Sequence, residues 1–77
     1  MPGRPPARVV NHLPALLARR AMSWGELGRR TLLPARLLAR LRAPDANPRL
    51  AVAERVAAAL GVPVEALWTP VRGRERR

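Results

Sequence analysis

The sequence predicts an all-α fold, a compact bundle of five short helices. Apolar residues recur at helical spacing from residue 9 to residue 68, and no stretch alternates apolar and polar residues as a half-buried strand does. Breaks rich in Pro and Asn divide this stretch into five segments. We therefore predict one domain over 9–68, preceded by a disordered basic arm over 1–8 and followed by a disordered basic tail over 69–77.

The first two helices are predicted from their N-terminal signals. Asn11 is a good N-cap, so the first helix is expected over 11–21. Ser23 and Glu26 have the spacing of a capping box, in which Ser23 caps the helix and Glu26 reaches back. This pattern predicts the second helix over 24–30.

The third helix follows after a turn of only a few residues. Pro34 suits a first helical turn, which predicts a helix over 34–42. Arg36 and Arg40 are four residues apart, so they share the face opposite the apolar one. Gly28 in the second helix either leaves room for another helix to approach closely or merely weakens its own helix.

The fourth and fifth helices are predicted over 50–60 and 63–68, separated by Gly61, which suits a helix C-terminus. Leu50 begins the apolar face of the fourth helix and is expected to face inward. The apolar spacing of all five segments predicts a core that contains Leu13, Leu17, Leu27, Leu38, Leu41, Val56 and Leu60.

Positive charge is concentrated on the half of the domain that contains the second and third helices. The net charge is +10, and all 15 basic residues are Arg. The stretch 9–42 holds seven Arg and one Glu, whereas 43–68 holds two Arg and three acidic residues. Two short helices joined by a tight turn, with a cationic outer face on the second, are typical of DNA-binding helix-turn-helix proteins.

An ordered set of landmarks makes this likeness specific. The set comprises Leu16-Leu17, Met22-Ser23-Trp24, Glu26-Leu27, Arg29-Arg30-Thr31, Leu38, Arg40-Leu41, Asn47-Pro48, Leu50 and the run from Val56 to Val64 before Leu67-Trp68. With these residues the chain resembles the Cro/phage-repressor (XRE-type) helix-turn-helix family over about three-quarters of its length. The resemblance implies a lambda-repressor-like bundle with the third helix in the major groove. It also implies a transcriptional regulator of the repressor kind, cytoplasmic and nucleoid-associated, that binds double-stranded DNA.

The resemblance also implies roles for individual residues. The base-reading positions fall on Ala35, Arg36 and Arg40. The contacts with the DNA backbone fall on Ser23, Trp24, Arg30, Arg42 and Arg49. Leu37 and Trp68 are candidate contacts with a second copy or another protein. Two alternatives stay open. Trp24 either contacts the DNA backbone or packs against the start of the third helix, and Trp68 either contacts a second copy or covers the core of the monomer.

Several residues depart from the family pattern. Leu32 stands where Gly is usual, and because a Leu at positive φ is strained, the turn is expected to differ locally. Pro34 replaces a Ser or Thr cap, Leu37 replaces a small polar residue, and Arg42 replaces a frequent Glu. These changes bear on sequence-specific base reading more than on the fold. They leave open an alternative function, a small protein-interaction module or phage-type inhibitor that acts on a transcription protein without specific DNA reading.

Other function classes find little support. The acidic residues form no carboxylate pair, His12 is the one His, and no Gly-rich phosphate loop occurs. No apolar run approaches the roughly 18 residues of a membrane span. We therefore expect no catalysis, no cofactor, no metal, no small-molecule ligand and no membrane partner.

Overall fold

A computed structural model of the chain describes residues 9–71. The predicted disorder of 1–8 and 72–77 lies outside these residues. The elements follow in the order β1 (Val9–Asn11), α1 (Leu13–Arg19), α2 (Trp24–Thr31), α3 (Ala35–Leu41), α4 (Leu50–Leu60), α5 (Val64–Leu67) and β2 (Trp68–Pro70). The five helices lie where the sequence predicts them, and their ends differ by up to two residues.

The prediction of an all-α fold is wrong, because the two ends of the described chain form a small antiparallel sheet. Val9 lies opposite Pro70, and Asn11 lies opposite Trp68. Each strand has only three residues, too few for an alternating pattern to stand out from the helices beside it. The fold is therefore a mixed one, with helices between two terminal strands.

Because of the sheet, two predicted boundaries differ from those in the structure. Asn11, expected to cap the first helix, lies in β1, and α1 begins at Leu13. Thr69, expected to begin a disordered tail, lies in β2 instead. The N–H of His12 donates to the carbonyl oxygen of Leu67 at 2.7 Å and continues the pairing where α1 and α5 meet the strands.

The core lies between the helices and extends to one face of the sheet. Six of the seven predicted core residues are buried, and Leu38 is half-buried against them. The core also includes Val9, Leu67 and Trp68, which lie near the two ends of the described residues. Leu50, expected to face inward, is instead 66% exposed.

Side chains satisfy backbone groups at several helix ends. The Ser23 hydroxyl accepts the N–H of Glu26 at 3.0 Å, which confirms the predicted cap of α2. The Glu26 carboxylate was expected to reach back to the start of α2. It instead accepts a hydrogen bond at 2.8 Å from Arg30, one helical turn later. The Arg20 guanidinium donates to the carbonyl oxygen of Leu60 at 2.6 Å and stabilises the C-terminus of α4.

No helix within residues 9–71 is long and apolar enough to cross a membrane.

Candidate nucleic-acid interface

The turn between α2 and α3 has a left-handed residue at its start. Leu32 has φ 60° and ψ 28°, and its N–H donates to the carbonyl oxygen of Gly28 at 2.7 Å. Leu32 thus adopts the left-handed conformation that is strained for a Leu, and the strain expected at this position is present. The Leu32 side chain is 81% exposed, so little packing compensates for the strain.

α2 and α3 approach each other closely at Gly28. A Cβ atom built on Gly28 would lie 2.6 Å from Cδ1 of Leu38, well inside contact distance. The absence of a side chain at Gly28 leaves this space to the end of the Leu38 side chain, which agrees with the predicted close approach of another helix. α3 is thus packed against α2 along its inner face.

The opposite face of α3 carries the predicted base-reading residues. Ala35, Arg36 and Arg40 are all exposed, and the two arginines lie one helical turn apart on the same side. Neither guanidinium group hydrogen-bonds to another residue within 9–71. Both are therefore available to an external partner from a helix that the fold holds in place.

Asn11 holds the C-terminal end of α3. Its side-chain amide donates to the carbonyl oxygens of Leu41 at 2.7 Å and Ala43 at 2.8 Å. Its amide oxygen accepts the N–H of Leu13 at 3.1 Å, so one side chain joins β1, α1 and α3. Sequence reasoning identified the link to α1 but missed the link to α3, because no local pattern indicates a partner 30 residues away.

Trp24 and Arg42 form a second contact across the helix pair. The guanidinium carbon of Arg42 lies 5.2 Å from the centre of the Trp24 ring, within the range of a cation–π interaction. Trp24 is half-buried and packs against the core, while Arg42 stays exposed just after α3. The structure thus joins two predicted DNA-backbone residues at the C-terminal end of α3.

The remaining predicted backbone residues have different surroundings. The Ser23 hydroxyl oxygen already accepts the N–H of Glu26 as the cap of α2, and its O–H group is left to donate a hydrogen bond to a partner. Arg30 is exposed, but its ion pair with Glu26 offsets part of its charge. Arg49 precedes α4 and is also exposed. Within residues 9–71, the exposed arginines on α2, on α3 and directly next to α3 or α4 are Arg29, Arg30, Arg36, Arg40, Arg42 and Arg49.

The two candidate protein-contact residues lie in different environments. Leu37 is half-buried and lines a groove between α3 and the start of α4. Trp68 is 6% exposed and belongs to the core, which agrees with the alternative that it covers the monomer. Its indole N–H has no hydrogen-bond acceptor within residues 9–71. Trp68 therefore offers almost no surface to a second copy.

Comparison of the chain with known protein families, with curated proteins and with solved structures gives no match.

Proposed function

We propose that this chain binds duplex DNA with α3 in the major groove and acts as a transcriptional regulator of the repressor kind. The observation that carries the proposal is the exposed outer face of α3, where Arg36 and Arg40 lie one turn apart. On this proposal the protein is not an enzyme, needs no cofactor, and works in the cytoplasm at the nucleoid.

The dimensions and rigidity of α3 suit this role. With its side chains an α-helix is about 10–12 Å in diameter, which a major groove about 12 Å wide admits. The Leu38–Gly28 contact and the hydrogen bonds of Asn11 hold α3 from two sides. A helix held in this way pays little ordering entropy when it binds.

The chemistry of the two arginines suits recognition of guanine. A guanidinium group can donate two hydrogen bonds to guanine O6 and N7 in the major groove, and such a pair discriminates against the wrong base by about 1–3 kcal/mol. Ala35 offers only a methyl group, which suits the methyl group of thymine. We assign base reading to these three residues.

The surrounding arginines supply affinity rather than sequence preference. Arg42, oriented by Trp24, and Arg49 at the start of α4 are proposed to bind phosphates beside the groove. Arg30 contributes less, because Glu26 offsets its charge. If the protein acts as a homodimer, the contact must use a surface other than Trp68, because that side chain is buried.

A DNA titration tests the proposal. The protein is titrated against labelled random-sequence and genomic duplexes at two salt concentrations, together with Arg36→Ala and, as a matched control, Arg19→Ala. Arg19 is exposed at the end of α1 and belongs to no predicted contact. We expect salt-dependent binding that Arg36→Ala weakens and Arg19→Ala leaves nearly unchanged. Absence of salt-dependent binding contradicts the proposal and favours the alternative of a protein-interaction module.

A further inference from the structure

A groove of about 490 Å³ runs between the C-terminal half of α3 and the start of α4. Its lining consists of Leu37, Arg40, Leu41, Ala46, Asn47, Pro48, Arg49 and Val52. Five of these residues are apolar, two are arginines and none is acidic. The size lies within the range of about 300–1,000 Å³ that is typical of ligand-binding clefts.

An exposed apolar residue, which does not itself line the groove, stands next to a lining residue in the sequence. Leu50 directly follows the lining residue Arg49 and is 66% exposed in the first turn of α4. Leu37 contributes a half-buried side chain from α3. Leu37 inside the groove and the exposed Leu50 near it are therefore the large apolar side chains that a partner segment is proposed to contact.

Charge indicates which partner fits. Arg40 and Arg49 are exposed and line the groove, whereas the nearest acid in the sequence, Asp45, is exposed and does not line it. A second copy of a chain with net charge +10 is repelled. A DNA strand brings phosphates but little apolar surface for the floor. The partner that satisfies both features is a protein segment with an apolar face and acidic flanks.

We propose that this groove binds an acidic amphipathic segment of a partner protein. Large apolar side chains of the segment fill the space beside Leu37 and Leu50, and its carboxylates pair with Arg40 and Arg49. Because both arginines are also proposed DNA contacts, the segment and DNA exclude each other, and the partner releases the regulator from DNA. This competition rests on the proposed function, whereas the docking itself does not.

The test uses a labelled peptide built from Leu and Glu, with its leucines on one face of a helix. Two control peptides replace every Leu by Ser or every Glu by Gln. Fluorescence anisotropy with the full chain should show saturable binding of the first peptide. Each control should bind at least about tenfold more weakly, because apolar anchors and charge pairs both contribute.

Variants of the protein locate the binding site. Leu50→Ser and Arg49→Ala should each weaken peptide binding by about tenfold. Both side chains are exposed, so neither change should affect folding, which circular dichroism checks. The matched controls are Leu32→Ser, which removes an even more exposed Leu from the α2–α3 turn, and Arg19→Ala from α1. Both controls should stay within about twofold of the unmodified chain.

Four results would overturn the docking proposal: no saturable binding, equal binding of the Ser peptide, no effect of the groove variants, or association of the chain with itself through Leu50. A labelled-DNA titration is run beside these measurements, and the Leu–Glu peptide should displace the DNA. Peptide binding without any DNA binding refutes the proposed function but leaves the docking site. DNA binding that the bound peptide does not weaken refutes the competition alone.

Discussion

The side-chain amide of Asn11 donates a hydrogen bond to the carbonyl oxygen of Leu41 at 2.7 Å and so ties β1 to the last residue of α3. A second bond from the same amide reaches Ala43 at 2.8 Å. The helix that we propose to read DNA is therefore held by the strand that forms the sheet. Stability of the sheet and position of α3 are thus coupled through one side chain.

This coupling predicts a measurable loss of stability. Asn11→Ala should lower the free energy of unfolding by about 1–3 kcal/mol, because two carbonyl groups lose a part-buried donor. Asn11→Asp keeps an acceptor for the N–H of Leu13 but faces the carbonyl groups with a carboxylate, so it should cost at least as much. Urea denaturation measures both. Asn47→Ala, at an exposed Asn, is the control, and an equal loss in that control would contradict the assigned role of Asn11.

The left-handed conformation of Leu32 predicts a substitution that raises, rather than lowers, the free energy of unfolding. Leu32→Gly should raise the free energy of unfolding by roughly 0.5–1 kcal/mol, because Gly adopts φ 60° without steric strain while losing more backbone entropy on folding. Leu50→Gly is the matched control. Leu50 is also an exposed Leu, but it lies within a helix, so the same change there should destabilise by up to about 1 kcal/mol. Thermal denaturation in which Leu32→Gly destabilises the chain would exclude strain at this turn.

The contact between Trp24 and Arg42 should appear as a coupling energy. In a double-mutant cycle with Trp24→Leu and Arg42→Gln, we expect a coupling of about 0.5–1 kcal/mol in stability, the range for exposed cation–π pairs. A second cycle that pairs Trp24→Leu with Arg36→Gln serves as the control and should show none. A coupling near zero in the first cycle would mean that Trp24 does not orient Arg42.

How far the sequence allowed these results to be predicted depends on the range of each interaction. The helices were predictable because their signals are local, as with the cap that Ser23 provides for α2. The sheet was not, because each three-residue strand gains its identity from a partner at the other end of the domain. The same reason hid the bond from Asn11 to Leu41. Long-range pairing leaves no periodic pattern in the sequence.

The candidate site shows the same division. Exposure of Arg36 and Arg40 on one face of α3 followed from helical spacing alone. The contact of Trp24 with Arg42 and the burial of Trp68 depend on tertiary packing, so the sequence left both open. Leu50 was placed inward by periodicity, but its side chain is 66% exposed, whereas Ala53 in the same turn of α4 is buried.

Base reading by α3 is tested by comparing two kinds of arginine variant on a selected binding sequence and its point variants. Arg36→Ala should cost about 1–3 kcal/mol and relax the preference at one base pair. Arg40→Ala should do the same at a neighbouring base pair. Arg72→Ala and Arg74→Ala, in the basic tail, should weaken all sequences alike. Identical behaviour of the two kinds of variant would mean that the chain binds DNA without reading it through α3.

The most direct test of the central claim, that the chain binds duplex DNA, is the salt dependence of its affinity for a duplex. If the chain neutralises about five to eight phosphates, log K should fall linearly with log salt, with a slope of roughly −4 to −7. A slope near zero, or no measurable affinity at low salt, would contradict the claim that this arginine-rich surface binds DNA.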